Sequence, residues 1–203
     1  FNSDESMTKI SDVTSGAYRL TTWVLQNPSV ATAAVEVTFA AAPTQGVMVA
    51  SAYQLTSGAT VFYEDVDTDT GTATSGSIGQ ATSIGDLVLF GNMHANTNAT
   101  TPGGGLTERA DLTAAANIRL ATGDLIADAT SETPSMSWSG SVVQLGAGVT
   151  INAGADDATV PTVLTKAISN PPRGQFRVLA RVDGQGDVWS MGAGFAYGDI
   201  TST

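Results

Sequence analysis

Cysteine is absent, histidine occurs once, and lysine and arginine together number eight in 203 residues. Each shortage closes a route. Without cysteine there is no disulfide, no thiol nucleophile and no thiolate metal site, although the compartment stays open because a cysteine-free chain is compatible with inside or outside. A single histidine, His94, excludes a histidine-pair metal site or a histidine relay, and no histidine-based triad is read from the sequence. Eight basic residues face nineteen acidic ones, for a net charge of −11 and a pI near 4.1, so no nucleic-acid partner is expected. No apolar run approaches the ~20 residues a spanning helix needs, and no membrane partner is expected either.

What is present argues for a folded domain. Hydrophobic residues make up 42% and charged residues only 13%, which sets the chain apart from the low-hydropathy, highly charged class of disordered sequences. The length suits one ordinary domain or a domain plus a fragment, and ~150 residues suffice to bury roughly 70% of the extended-chain surface. The start at Phe1, with no basic n-region and no apolar signal core, points to a chain processed or cut from something longer. A texture of Thr, Ser, Ala and Gly with few charges points to a secreted or virion-surface setting.

Short apolar runs alternate with Gly/Ser/Thr spacers. In the run VEVTF, Val35, Val37 and Phe39 face one way and Glu36 and Thr38 the other, the pattern of a half-buried strand. GVMVASAY at 46–53 is apolar on both alternating sets, which predicts a central strand covered on both sides. DLVLF at 86–90 is a short strand between Gly85 and Gly91, and Met136 and Trp138 alternate with Ser135, Ser137 and Ser139 up to Gly140. Over 108–121, Asn117 and Gly123 and the lack of a 3.6-residue stripe favour a strand through Ile118 and Leu120 over a helix. Strands every eight to twelve residues or so, separated by glycine turns, predict an all-β antiparallel sandwich, jelly-roll-like, over 1–150. INAGADDATVP predicts a linker at 151–162. The remainder, 163–203, reads as a β-hairpin spanning 176–197 or the start of a second partial β-module.

The first three quarters of the chain resemble a β-sandwich module of tailed-phage tail, fibre and capsid-surface proteins and of secreted bacterial proteins. The residues that carry the resemblance are Phe1, Asn2, Met7–Thr8–Lys9, Trp23, Leu25, Asn27–Pro28 and the 35–39 strand. Gly85–Asp86–Leu87–Val88, Leu106–Thr107–Glu108–Arg109 and Met136–Ser137–Trp138–Ser139 follow in the same order. These are packing and turn positions, so the resemblance implies a fold and a surface context and carries over no site residue. It also implies strands upstream of Phe1, supplied by missing sequence or by another subunit.

Candidate chemistry is sparse. Asp65, Asp67 and Asp69 before Gly71 place carboxylates at alternate positions, as a calcium loop would. The glycine falls one place late and the bidentate glutamate is missing, so a solvated acidic hairpin tip is the expectation, with no metal and no cofactor. His94 beside Asn96–Thr97–Asn98 reads as polar surface. Glu36, Glu64, Glu108 and Glu132 offer no placed glycosidase pair. Gly103–Gly104–Gly105 is a turn rather than a phosphate loop, and the sequon Asn98–Ala99–Thr100 reads as chance. Trp23, Trp138, Trp189, Tyr18, Tyr53, Tyr63 and Tyr197 could build a sugar-stacking platform, but the alternation around the tryptophans favours the core, with Tyr63 the ring expected outside. No catalytic residue is identified. The expectation is a non-enzymatic structural protein of a virion surface, tail fibre or extracellular filament, an assembly or decoration unit with copies of itself or other virion proteins as partners. Its contact is placed at Phe1–Asp12 or at the 176–197 hairpin. The alternative is a carbohydrate-binding or adhesion module with a glycan partner.

Overall fold

The computed structural model describes residues 6–26, 32–38, 43–55, 62–114, 117–152, 158–169, 175–181 and 189–198, the last three segments as backbone. All regular structure among them is strand: β1 (Thr8–Ser15), β2 (Tyr18–Gln26), β3 (Thr32–Thr38), β4 (Gln45–Leu55), β5 (Phe62–Ser77), β6 (Gln80–Ala81), β7 (Leu87–His94), β8 (Thr101–Gly103), β9 (Thr107–Ala114), β10 (Ile118–Ile126), β11 (Ser131–Glu132), β12 (Ser135–Asn152), β13 (Ala158–Ser169), β14 (Gln175–Arg181) and β15 (Trp189–Gly198). β-Branched residues and apolar/polar alternation favour strands, while frequent glycine disfavours helix.

The fold is all-β and every pairing is antiparallel. One sheet runs β1-β2-β15-β4-β13; the other runs β5-β12-β7-β10-β9, with β8 on the first residues of β12. The sheets pack face to face, and their edges approach each other, β1 against β5 and β13 against β9. Among the described residues there are also two ribbons, β14-β3 and β11-β6.

Apolar contact fills three layers. Between the sheets, Val13, Leu20, Val47 and Val49 meet Met93, Leu120, Leu145 and Ala147, and Tyr53 meets Leu87, Val149 and Ile151. On the other face of β4, Met48 and Ala50 pack with Val35 and the half-buried Trp23, Leu25 and Val37. On the other face of β7, Val88 and Phe90 pack with Ile78, Leu106, Met136 and Trp138. Full burial of one such large side chain contributes about 1.5–3 kcal/mol. The two-sided apolar pattern of GVMVASAY therefore has the cause expected of it: β4 has neighbours on both edges and cover on both faces.

Val35 is buried, Val37 half-buried, and Glu36 and Thr38 are exposed, while Phe39 lies outside the described residues. Met136 and Trp138 are buried between exposed Ser137 and Ser139. The strand does not end at Gly140. That residue lies in the register break between Ser137 and Val142, and β12 continues to Asn152.

The C-terminal part departs from expectation. β14 and β15 do not form a hairpin with each other; β14 pairs with β3, and β15 inserts between β2 and β4. The physical reason is backbone satisfaction. β2 and β4 face each other across one empty strand position, and a third strand must meet the donors and acceptors on both sides. β13 likewise pairs with β4, so 158–198 contributes strands to the N-terminal strands instead of opening a module of its own. The linker expected at 151–162 ends as strand at both sides, in β12 and β13, with 153–157 outside the described residues. Pro161, which cannot donate to a ladder, falls in the register break between Thr159 and Thr162 of this edge strand.

Among the glycines with positive φ are Gly16, at 58°, and Gly104, at 60°. A Cβ on Gly16 meets nothing within 4 Å, whereas one on Gly104 would lie 2.1 Å from the Thr133 carbonyl oxygen. Gly16→Ala is expected to lose only the left-handed penalty of about 1–2 kcal/mol. Gly104→Ala adds a backbone collision and is expected to lose about 3 kcal/mol or more. Urea midpoints of the two variants compare them directly, and equal losses would contradict the packing of the β8–β9 turn on Thr133.

Candidate functional site

The β9–β10 hairpin carries two arginines and two aspartates, and one irregularity decides where they go. Pairing runs Ala110↔Thr122 and then Glu108↔Gly123, so Arg109 is the extra residue of a β-bulge. Simple alternation would put Arg109 on the same face as Asp111. The bulge turns it over, a known use of bulges, and the four charges separate into two ion pairs.

The first pair lies on the face toward the other sheet. Arg109 Nε and Nη2 donate to Asp124 Oδ2 and Oδ1, both at 2.8 Å, and the Tyr53 hydroxyl donates to Asp124 Oδ2 at 2.9 Å. Tyr53 belongs to β4 and Asp124 to β10, so the carboxylate ties the two sheets together. Burial, with the Asp124 charge second, holds the Tyr53 hydroxyl well above the usual tyrosine range. It stays protonated and serves as a donor.

The second pair lies on the opposite face. Arg119 grips both oxygens of Asp111, which also accepts from the Thr100 backbone N–H at 3.1 Å. Thr100 Oγ1 lies 3.1 Å from His94 Nε2, and the His94 ring stacks on Trp138 with centroids 4.4 Å apart and planes 16° apart. Burial pushes the His94 pKa down to about 4, assisted by the Arg119 charge and opposed by Asp111. The sequence Asp111–Thr100–His94 contains the residue types of a relay but in the wrong order, because the hydroxyl sits between carboxylate and imidazole. A nucleophile needs the imidazole to be the middle member. With Thr100 and His94 both buried, the chain orients the 95–100 loop.

His94 is thus a correction to the sequence reading: it is 0% exposed, where polar surface was expected. Alternation along β7 puts 88, 90, 92 and 94 on the face that Trp138, Met136 and Leu106 cover. Asp65, Asp67 and Asp69 are also not a loop tip. They are alternate residues of strand β5, in register with Thr150, Gly148 and Gly146. Asp65 accepts from the Ala81 N–H at 2.8 Å, and Asp69 accepts from Gln144 Nε2 at 2.7 Å. Gln144 in turn accepts from buried Asn92 at 2.8 Å, so Asp69 anchors a polar chain across the sheet. Asp67 accepts from the Thr68 N–H. Among the described residues no group of three or more histidines or carboxylates is placed to hold a metal ion.

Trp138 and Tyr53 are buried, Tyr18 and Trp23 are half-buried, and Tyr63 is exposed as expected. Lys9 Nζ lies 5.9 Å above the Trp23 ring. The side chains of Trp189 and Tyr197 lie outside the described residues, as does that of Glu64. Glu36 and Glu108 are exposed, and Glu132 accepts from the N–H groups of Asp128 and Ala129, capping a loop. Gly104 and Gly105 form a turn with positive φ. Asn98 donates to the Ser139 carbonyl at 2.7 Å, and the Thr100 of its sequon is buried. The Arg109–Asp124–Tyr53 clamp and the Asp111–Arg119 pair were not found from sequence. The available signal was one Arg and one Asp in each of the segments 107–114 and 118–126, whose pairing as a hairpin the sequence reading did not include.

Two outcomes follow from this geometry. Asp124→Ala leaves Arg109 without its partner in a largely buried place, and is expected to destabilise the protein by about 3–5 kcal/mol in chemical denaturation. A loss below about 1 kcal/mol would mean that the clamp is dispensable. For His94, the folded pKa lies below the unfolded one, so the unfolded chain binds the extra proton as pH falls. The protein is expected to lose stability from about pH 6.5 down to about 4, by about 3 kcal/mol at most, with no further His94 loss below that. His94→Gln removes the titrating group, and the difference between wild-type and variant melting curves should track this window and vanish above pH 7.

No family model matches the chain, and no curated protein or solved structure matches it either.

Proposed function

We propose that the chain is a non-enzymatic structural protein, an assembly or decoration unit of a virion surface, a tail fibre or an extracellular filament. The observation that carries this reading is how the described charged groups are used. Asp124 and Asp111 are neutralised by arginines within the fold, and His94 is neutral and sealed beneath Trp138. On the surface, Asp12 bridges Lys9 and Arg19, and the Arg19 hydrogen bond is the main cause that lowers its pKa to about 2. Groups committed to internal ties serve rigidity, which suits a building unit better than a catalyst.

The rings support assembly over glycan binding, since those with described side chains are buried or half-buried apart from Tyr63. Of the two contacts expected from sequence, the 176–197 hairpin is withdrawn, because both edges of β15 are already paired. β1 remains an edge strand, carrying a bulge between Lys9 and Ser11 and the Asp12 charge cluster. Bulges and charges restrict which strand can add there, which favours a specific partner over indiscriminate aggregation.

The expected outcome is a defined homo-oligomer or polymer of the 203-residue chain in native mass spectrometry and negative-stain averaging. A strict monomer that binds glycans on an array would overturn the assembly reading in favour of an adhesion module.

A further inference from the structure

The outer face of β12 holds a hydroxyl against a carboxamide. Thr150 of β12 and Gln80 of β6 are both 0% exposed, and the Thr150 hydroxyl donates to Gln80 Oε1 at 3.0 Å across 70 residues of chain. Register brings them together. Gly148 and Thr150 share a face of β12, and a Cβ at Gly148 would lie 1.8 Å from Ile78 Cδ1, so only glycine there lets Ile78 lie against the strand. The Ile78 N–H donates to the Pro134 carbonyl, and Gln80 pairs with Glu132 of β11. With 78–80 held in this way, Gln80, two residues on from Ile78, lands on Thr150, two residues on from Gly148.

A carboxylate stands beside the pair. Asp65 of β5 is in register with Thr150 and shares its face, and its Oδ2 accepts from the N–H of Ala81, the residue after Gln80, at 2.8 Å. A nucleophile, an acyl group and a base therefore converge, the first two out of reach of water.

We propose that Thr150 and Gln80 are a modification site, joined by an intramolecular ester that the chain forms on itself. Thr150 Oγ1 adds to Gln80 Cδ, the Cδ–Nε2 bond breaks, and the hydroxyl proton passes by way of the Asp65 carboxylate to the departing nitrogen, which leaves as ammonia. No oxidant or co-reactant enters, and the carboxylate is regenerated. Because a carbonyl bond is about 1.2 Å long, the hydroxyl oxygen already lies within about 4.2 Å of Cδ, and a reacting approach is about 3–3.5 Å. The leaving nitrogen is weakly held, since its hydrogen bond to the Gly79 carbonyl is 3.5 Å long. Fixing both groups removes the entropic part of the barrier, and exclusion of water protects the ester from hydrolysis. The link would give a cysteine-free chain the kind of constraint that a disulfide supplies elsewhere.

The test is the intact mass of the purified full chain, expected to be lower than the sequence mass by one ammonia, with tandem spectra of a digest showing the Gln80 and Thr150 peptides joined. Thr150→Val should restore the full mass, whereas Thr150→Ser, which keeps a hydroxyl, should retain the loss. Gln80→Glu should also keep its full mass, and it provides the comparison should Thr150→Val fail to fold. Asp65→Asn should be recovered largely unlinked. A wild-type chain at its full sequence mass, with the two residues merely hydrogen-bonded, would overturn the proposal, as would a loss that persists in Thr150→Val or that maps to an asparagine. Asp65→Asn linked as completely as wild type would overturn the part given to that carboxylate.

Discussion

The carboxylate of Asp124 holds the sandwich in one arrangement. Apolar packing between the sheets supplies most of the favourable free energy, but it is non-directional and tolerates sliding. Two bonds from Arg109 and one from Tyr53 converge on a side chain that is 6% exposed, and they hold only if β4, β9 and β10 keep a single relative position. Leaving such a carboxylate without partners would cost more than the pair gains over apolar residues. Its contribution is therefore to uniqueness more than to stability. The bulge at Arg109 is the price of placing that arginine on the inner face.

Coverage on both faces governs the rest of the chemistry. The second sheet faces the first on one side and a layer of loops and short strands on the other, so polar residues on its outer face are enclosed. Asn92, Gln144 and Asp69 answer by bonding in a chain, and Thr150 reaches Gln80 at 3.0 Å. His94 answers by staying neutral and stacking on Trp138. A chain with few charges can be enclosed in this way because few groups need compensation.

Strand existence was legible where one periodicity dominated. GVMVASAY at 46–53, VEVT at 35–38 and the Met136/Trp138 alternation each read correctly because local burial decides them. His94 was not legible, since the cover over β7 comes from residues 106, 136 and 138, far away in sequence. Asp65, Asp67 and Asp69 looked like a turn by composition, yet they are one face of a sixteen-residue strand whose partner, β12, is about eighty residues away. The ion pairs of the β9–β10 hairpin depended on a one-residue bulge, and nothing in TERADLTA marks which residue is extra. The place of β15 was the largest gap, because strand order is a property of the whole chain, and neighbours in sequence are only the commonest solution.

That strand order also has a consequence in time. β2 and β4 lie within the first 55 residues, but the strand that joins them occupies 189–198. A chain emerging from the ribosome at about 5–20 residues per second carries this sheet as two separated halves for about ten seconds or more, until β15 clears the tunnel. During that wait the second sheet, whose strands come from 62–152, can assemble first and act as the template. The N-terminal strands are then committed to whichever β15 reaches the slot first, so the slot is where two chains growing side by side would exchange strands.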